Sequence, residues 1–570
     1  MPIPPKRWEV ALRAPDIHFA RFPDLPPLIV QILYNRGFTE ADEVTDFLAH
    51  RWVDNNPFAL HGMEAAVDRL ASAIKWSEPI AIYGDYDADG VTATALLMQY
   101  LTGLGAIVSP YIPDRFDEGY GLNNEALAKL AEQGIKVVLT VDCGIRSVKE
   151  VDYGNSLGLD IIITDHHSVG EETPPALATV NPKQKPCAYP FKELAGVGLA
   201  YKLAQALHQA NVHGANGAAL HPDGLLDLVA LGTVADLAPL YGENRMLVAH
   251  GLKRLNEQPL RPGLAALRHT VGLNKAISAG TIGFVIGPRL NAAGRLDHAL
   301  AAYKLLVAQN ELEATHLAGW LDQQNKERQS ITFKMVDMAR QTVMADGTAR
   351  PLYFVSHPDF NPGVVGLAAS RLAEEFYRPT LVAEQGPERT KGSARSIPEF
   401  HITDALDQCA DLLERYGGHA AAAGFTLKNE NVPAFQSRLV EIAANQLDLD
   451  DLRPTLSIDG EINLRGVKPE LVEAITNLQP FGYGNTTPSF VSRELVVKGK
   501  KAVGQDLSHL KLTLHDGRQH WSAIAFRQGH WAEKLALSDK IDVVYTLEFN
   551  EWNGRRAMQL NLKDLRPSGR

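Results

Sequence analysis

Short apolar runs and helix-period stretches alternate through the first half of the chain. Ile80–Tyr83, AIVSPYI (106–112), KVVLTV (136–141) and DIIIT (160–164) are strand-like, and VTATALLMQYL and NEALAKLAEQG, the latter closed by Gly134 as a C-cap, read as helices between them. That alternation, from about 77 to 240, predicts a parallel sheet with crossover helices, followed by the helical run LLDLVALGTVADLAPL (225–240). Residues 309–345 keep an amphipathic helical pattern without proline, which predicts a long connecting helix. A second α/β unit spans about 350–445, with PLYFVSH and PTLVAE as strands. From 455 to 565 the pattern turns to period two. ELVVKGK, HLKLTLHD, HWSAIAF, KIDVVYTLEFNEWNG and RAMQLNLKDL are strands of an OB-type β-barrel. Residues 1–50 read as a small helical preface, with a helix near Glu40–Leu48 and a packing role. The fold class is α/β multidomain, divided at 1–50, 51–300, 301–348, 349–450 and 451–570.

A chain of 570 residues exceeds one core, so several domains are required. No stretch of apolar residues is long enough to span a bilayer. The N-terminus MPIPPKRWEV lacks the apolar region of a secretory signal. Cys143, Cys187 and Cys409 are scattered without a CxxC pair, which fits a reducing cytoplasm and excludes a zinc or disulfide framework. The net charge of −11 argues against coating nucleic acid through bulk charge. Residues 491–570, however, carry 14 Lys/Arg against 9 Asp/Glu, so an anionic partner is expected there.

The chemistry concentrates at PIAIYGDYDADGVT (79–92), where a strand turns on Gly84 and delivers Asp85, Asp87 and Asp89. In an open α/β sheet, ligands bind at the carboxyl ends of the strands. Crowded carboxylates there repel one another, and a hard divalent cation such as Mg²⁺ or Mn²⁺ resolves the conflict. DYDADG also matches the start of an EF-hand loop, but the twelfth position is Leu96 rather than Glu and a strand precedes it, so that reading fails. Two further strands end the same way, on Asp142 in VDCGI and on Asp165-His166-His167, and Asp236 lies in the later helical run. Carboxyl ends of neighbouring parallel strands share an edge, so these side chains are expected to face one crevice. Asp165 reads as the acceptor that orients a neighbouring imidazole.

YGDYDADG, VDCGI, DHH and GTVADLAPL resemble, in order, the four motifs of the DHH phosphoesterase superfamily. The resemblance runs over essentially the whole chain and is closest to bacterial single-stranded-DNA-specific exonucleases. It implies a DHH catalytic domain, a DHHA1 domain and an OB-fold, with two divalent ions (Mn²⁺ or Mg²⁺) as cofactors. Asp85, Asp87, Asp89, Asp142, His166 and Asp236 resemble the metal ligands, with Asp142 bridging. His167 resembles the residue that contacts the scissile phosphate, with Asp142 and Asp165 completing the catalytic group. An imidazole ligand must be neutral, so activity is expected to fall as pH drops towards 6.

Between 280 and 298, TIGFVIGPRLNAAGRLDH reads as a Gly-rich loop whose Arg289, Asn291 and Arg295 suit phosphate contacts, and Arg115 in PDRFDEGYG is a similar case. YGGHAAAAGFTL resembles the nucleotide-contacting motif of DHHA1 domains through Gly417, Gly418 and His419. Ser393 and Arg395 resemble that family's pocket for a terminal 5′-phosphate. The chain departs from the family's H-x-G-W-H-P-G: Phe360 and Asn361 replace the stacking residue and the second His, which leaves contacts at Asn361 open. In the barrel, Trp552, Phe549, Arg555, Lys498, Lys500 and Lys501 are the candidate strand contacts.

The leading expectation is a 5′-to-3′ exonuclease on single-stranded DNA, serving repair and recombination beside single-stranded-DNA-binding protein and helicases, with no membrane role. The polarity and the partners come from the resemblance alone. The alternatives are a small-molecule phosphoesterase, which would lack the long helix and barrel, and a non-catalytic scaffold, which would lack ligands.

Overall fold

The computed structural model describes residues 5–51, 55–114, 121–212, 220–296, 299–347, 349–504, 506–552 and 555–569, the side chains of Asp346, Trp552 and Arg555 excepted. Strand β1 (Arg7–Val10) opens the chain, followed by helices Asp16–Arg21, Pro27–Asn35 and Ala41–Ala49. The helical preface is thus corrected: its first element is a strand, with a partner far away in sequence.

The first large sheet holds β2 (Ile80–Gly84), β3 (Val108–Tyr111), β4 (Val137–Val141), β5 (Asp160–Thr164) and β6 (Ala178–Val180), ordered β3-β2-β4-β5-β6 and parallel throughout. IAIYG and VVLTV are buried at every position, as strands covered on both faces require. Helices Ala88–Gly103, Gly196–Gln209 and Leu226–Ala235 form the core against one face, and Asn124–Glu132 and Val148–Ser156 cover the other. From β2 the chain steps outward to β3 and then returns to the opposite side as β4. That reversal of winding opens a crevice at the carboxyl end of β2.

The run GPRLNAAGR is not a loop. It forms helix Gly287–Leu296, led in by a π-helical segment Ile282–Ile286. Its glycines serve close packing, since a Cβ at Gly294 would stand 2.6 Å from the Tyr86 carbonyl oxygen. Helix Glu311–Asp346 follows, 36 residues capped by the Asn310 side chain and about 54 Å long at 1.5 Å per residue. The second sheet comprises β7 (Tyr353–His357), β8 (Thr380–Gln385), β9 (Arg389–Arg395), β10 (Arg415–His419) and β11 (Ala422–Lys428), in the order β10-β11-β9-β8-β7. Helix Val365–Phe376 packs against it.

Strand β12 (Thr455–Ile458) pairs in parallel with β1. Strands β13 (Gly460–Glu461), β14 (Phe490–Val503), β15 (His509–His515), β16 (His520–Ala525), β17 (Lys540–Trp552) and β18 (Arg555–Pro567) build the barrel, which β14 closes by pairing with β17. Ile29, Ile32, Leu33, Val44 and Phe47 from the N-terminal helices share one core with Leu478, Phe490 and Trp521. Among the described residues no helix is long and apolar enough to cross a membrane.

Candidate metal centre

Strand β2 ends at Gly84, and the chain must turn at once into a helix. Asp87 makes that turn possible by capping helix Ala88–Gly103, its Oδ1 accepting from the Asp89 and Gly90 amides at 2.9 and 3.1 Å. A Cβ at Gly90 would stand 2.6 Å from the Asp85 amide nitrogen, so only glycine lets the helix begin so close to the strand. Asp85 and Asp89 are thereby carried into the crevice, both buried. Asp142 follows β4 in the left-handed region at φ +63, a strained conformation for a residue with a Cβ. Asp165, His166 and His167 follow β5, and Asp236 ends helix Leu226–Ala235. The amides of Gly196 and Val197, at the start of helix Gly196–Gln209, donate to Asp89 Oδ2 and Oδ1 at 2.6 and 2.8 Å.

The side chains converge. His166 Nε2 lies 3.0 Å from Asp142 Oδ1, 3.8 Å from Asp236 Oδ2 and 3.9 Å from Asp89 Oδ2. Three groups bring their ligand atoms within 4.8 Å of one another: Asp85/Asp87/Asp142, Asp89/His166/Asp236 and Asp142/His166/His167. Asp142 and His166 each belong to two groups, so the clusters are joined.

Burial drives the electrostatics. It pushes the Asp142 carboxyl far above the carboxylate range, with repulsion from Asp89, Asp87, Asp236 and Asp85 adding to it. Burial and Asp87 raise Asp89 to about 7, although the two backbone amides oppose the rise. Burial, Asp89 and Asp87 raise Asp236 to about 9. Burial also pushes His166 down to about 3. The expectation that acid acts through this imidazole is therefore corrected: His166 is neutral throughout the range from pH 6 to 9, and protons compete at the carboxylates instead. The neutral imidazole nitrogen is thus buried 3.0 Å from Asp142 Oδ1 among crowded carboxylate oxygens. Hard divalent cations that accept oxygen and one nitrogen fit this donor set, and they remove the repulsion.

Asp165 is built differently. Its Oδ1 accepts from the His167 amide (3.0 Å) and stands 2.8 Å from His167 Nδ1, while Oδ2 accepts from the Ile145 amide at 2.9 Å. Against burial, these bonds hold Asp165 below its usual value, and against burial they raise His167. With Nδ1 donating to Asp165, His167 presents Nε2 to the cleft.

Burial first, and then the nearby charges of Arg146, His167 and Lys183, lower the His419 pKa, so the end of β10 lies within electrostatic reach of those groups. Gly417 and Gly418 share that exposed strand. Arg395 Nη1 donates to Ser393 Oγ at 2.7 Å, and a Cβ at Gly366, in the first turn of helix Val365–Phe376, would lie 2.9 Å from Arg395 Nη2. Arg295 Nη1 reaches the Gly363 carbonyl at the same helix end (3.3 Å). Two guanidiniums and a hydroxyl thus gather at a helix N-terminus, groups whose chemistry suits an anion.

Other expected contacts are engaged elsewhere. Arg289 is held by Asp322 and by the Val285 carbonyl, and Asn291 Oδ1 accepts from the Ala88 amide at 2.7 Å. Asn291 thus fixes the first turn of the ligand-bearing helix. Lys500 donates its ammonium to the Ala532 and Leu535 carbonyls, and Phe549 lies beneath the Arg556 guanidinium (3.7 Å). Lys498 and Lys501 are exposed on β14. Phe360 is buried in the core, and Asn361 Oδ1 accepts from the Gly363 amide. Arg115 and the side chains of Trp552 and Arg555 lie outside the described residues. Sequence reasoning missed Lys183 and Arg146, the cations around the centre. Lys183 follows β6 in VNPK, so the rule that singled out the other strand ends applied there too.

Comparison with known proteins follows the same division. Residues 79–233 match the DHH family, N-terminal domain, residues 350–445 the DHHA1 domain and residues 458–564 the RecJ OB domain. The single-stranded-DNA-specific exonuclease RecJ of Bacillus subtilis (strain 168) is 42% identical over 545 residues, 95% of this chain and 68% of that protein. Its counterpart in Haemophilus influenzae is 36% identical over 528 residues, 90% of this chain and 92% of that one. The crystal structure of RecJ from Thermus thermophilus in complex with Mn²⁺ superposes with a TM-score of 0.84 at 32% identity, covering 99% of this chain and 80% of the other. The Mg²⁺ complex gives 0.79 at 30% identity.

Proposed function

We propose, from the premise that the chain belongs to the RecJ family of single-stranded-DNA-specific exonucleases, that it removes 5′-mononucleotides from single-stranded DNA in the 5′-to-3′ direction. The observation that carries the reading is the buried acid–imidazole cluster, whose carboxylates are crowded around a neutral imidazole in a donor set that divalent cations fit. Asp85, Asp87, Asp89, Asp142, His166 and Asp236 would hold two ions. Such a pair lowers the pKa of water and draws charge from a phosphodiester.

The rest is positioning. Asp165 keeps the proton on His167 Nδ1, so that Nε2, when protonated, donates to an oxygen of the scissile phosphate. Arg295, Ser393 and Arg395 take the terminal 5′-phosphate. Gly417 and Gly418 let the backbone approach the first nucleotide, beside His419. With the end fixed there, the first phosphodiester falls at the cluster, which sets polarity and product size. The barrel takes the remaining strand by stacking and charge. We divide the chain accordingly at 51–300, 301–348, 349–450 and 451–570. We place the enzyme in the cytoplasm, in repair and recombination, beside a single-strand-binding protein and helicases.

The test is a product ladder. A 5′-phosphorylated strand labelled at its 3′ end is incubated with Mn²⁺, Mg²⁺ or chelator. Shortening from the 5′ end by single nucleotides, with either metal and not with chelator, is expected. Internal cuts, or loss from the 3′ end, would refute the assignment.

A further inference from the structure

The barrel and the catalytic domain have separate cores, and the N-terminal helices belong to the barrel's. Strand delivery therefore depends on how rigidly these two bodies are joined. The joint is built around residues 478–486 of the C-terminal module. Gly482 and Gly484 lie where a Cβ would press on Leu240 and Pro239, at 2.7 and 2.9 Å, and the Leu240 amide donates to the Tyr483 carbonyl at 2.7 Å. Leu240 is four residues beyond Asp236, so this tongue leans on the segment that carries a metal-cluster carboxylate.

Two arginines hold the tongue. Arg245, on catalytic-domain helix Gly242–Asn256, is 3% exposed. It donates to the Leu478 and Pro480 carbonyls (2.9 and 3.3 Å) and to the Phe47 carbonyl (3.5 Å), and it stacks 3.7 Å over the Phe47 ring. Arg36, from the N-terminal helices, donates to Asn485 Oδ1 (2.5 Å) and the Thr486 carbonyl (2.7 Å). Asn485, 2% exposed, returns its amide to the Leu478 and Pro480 carbonyls. Neither guanidinium has a carboxylate within ion-pair distance among the described residues. Burial lowers both, Arg245 to about 9. A charge desolvated this way contributes little net stability. What the fork supplies is geometry: one planar group spans carbonyls from two segments and fixes their angle to a third.

We propose that Arg245 is a positioning residue that locks the barrel onto the catalytic domain, so that a strand held on the barrel enters the metal centre in one register. The proposal rests on the nuclease reading above for its consequence, though the joint itself does not. Loss of the joint lowers the effective concentration of the strand end at the cluster, an effect worth roughly tenfold to a hundredfold. A dinucleotide occupies the cluster alone and is indifferent to the barrel.

The experiment uses the full chain and Arg245→Met, with Arg36→Met as the second variant should the first fail to fold. Arg245→Lys, which keeps charge without the fork, serves as the conservative comparison. Expected are KM for a 5′-phosphorylated 30-mer raised roughly tenfold or more, kcat and KM for a 5′-phosphorylated dinucleotide unchanged, and Mn²⁺ affinity unchanged. Arg245→Lys should be intermediate. Backbone hydrogen exchange in peptides covering 236–241 and 478–486 should accelerate in both methionine variants. Equal losses on both substrates, or an unchanged 30-mer KM, would overturn the proposal. Unaltered exchange would overturn the joint whatever the substrate. Faster exchange in a protein whose wild type cuts neither substrate would leave the joint standing and remove the nuclease reading instead.

Discussion

Asp165→Asn isolates the role of a single oxygen. The carboxylate is 1% exposed and accepts three hydrogen bonds, two at Oδ1 from the His167 amide and Nδ1 and one at Oδ2 from the Ile145 amide. An amide offers one acceptor. If its oxygen faces His167, its NH₂ meets the Ile145 N–H, and a buried donor is stranded at a cost of about 1–3 kcal/mol. If it turns, both His167 bonds are lost and the ring proton shifts to Nε2. In either orientation the charge-assisted part of the Asp165–His167 bond disappears, another ~1–2 kcal/mol. Together that is about 2–5 kcal/mol, or roughly thirtyfold to five-thousandfold at 1.36 kcal/mol per decade. The sign with pH follows from His167. Its pKa is raised in the native protein, so the imidazolium persists to higher pH than an ordinary histidine and is lost as pH rises through that value. Without the carboxylate the loss occurs at lower pH, and the deficit relative to wild type should grow from pH 6 to pH 8. The assay is kcat on a 5′-phosphorylated strand at saturating Mn²⁺ across that range, with metal affinity by calorimetry as a control. Activity within threefold of wild type at pH 8, or a deficit independent of pH, would refute the reasoning.

Asp89, Asp142 and Asp236 carry raised values without metal, so Mn²⁺ must displace protons. Its affinity should tighten between pH 6 and 8 by up to about tenfold per unit for each proton released, and calorimetry in buffers of different ionisation enthalpy measures that number. An affinity flat with pH would contradict it. The same three groups have folded pKa values above their unfolded ones, so their stabilising contribution is complete below about pH 4 and is lost as pH rises, through 7 for Asp89 and 9 for Asp236. Chelated protein should therefore melt at a lower temperature at pH 9 than at pH 6, and Mn²⁺ should rescue most at pH 9. Gly232→Ala sets a Cβ 2.3 Å from Thr92 Oγ1 and 2.8 Å from Asp89 Oδ1, so melting should show about 1–3 kcal/mol of destabilisation alongside weaker Mn²⁺ binding. Arg395→Ala should abolish discrimination between 5′-phosphate and 5′-hydroxyl ends while sparing metal affinity, as competition between the two strands reads directly.

Much of the fold was legible because the burial pattern is one-dimensional. IAIYG, VVLTV and DIIIT are strands covered on both faces, and HLKLTLH shows one face in and one out. The acids past those strands were legible for the same reason, since parallel strands place their carboxyl ends together. What failed was information carried between segments. Nothing in RWEV announces a partner at TLSI, because a strand of four residues has no strong period of its own. The glycines of GPRLNAAGR suggested loop freedom, whereas Gly294 lies against the Tyr86 backbone, a contact known only once the helices cross. Arg289 and Lys500 offered charge to a phosphate. Asp322 and two carbonyls nearer in space take it first.

The pairing of Arg7–Val10 with Thr455–Ile458 also governs how the polypeptide is made. At about 5–20 residues per second a ribosome needs on the order of half a minute or more to supply the second strand after the first emerges. During that interval the catalytic sheet can fold, while Ile29, Ile32, Leu33 and Phe47 stay exposed to chaperones and to other nascent chains. The barrel core they belong to is therefore completed only after Thr455–Ile458 and the strands beyond it have emerged. Tags or fusions that tether the N-terminus should depress the yield of folded enzyme more than equivalent additions inside a catalytic-domain loop.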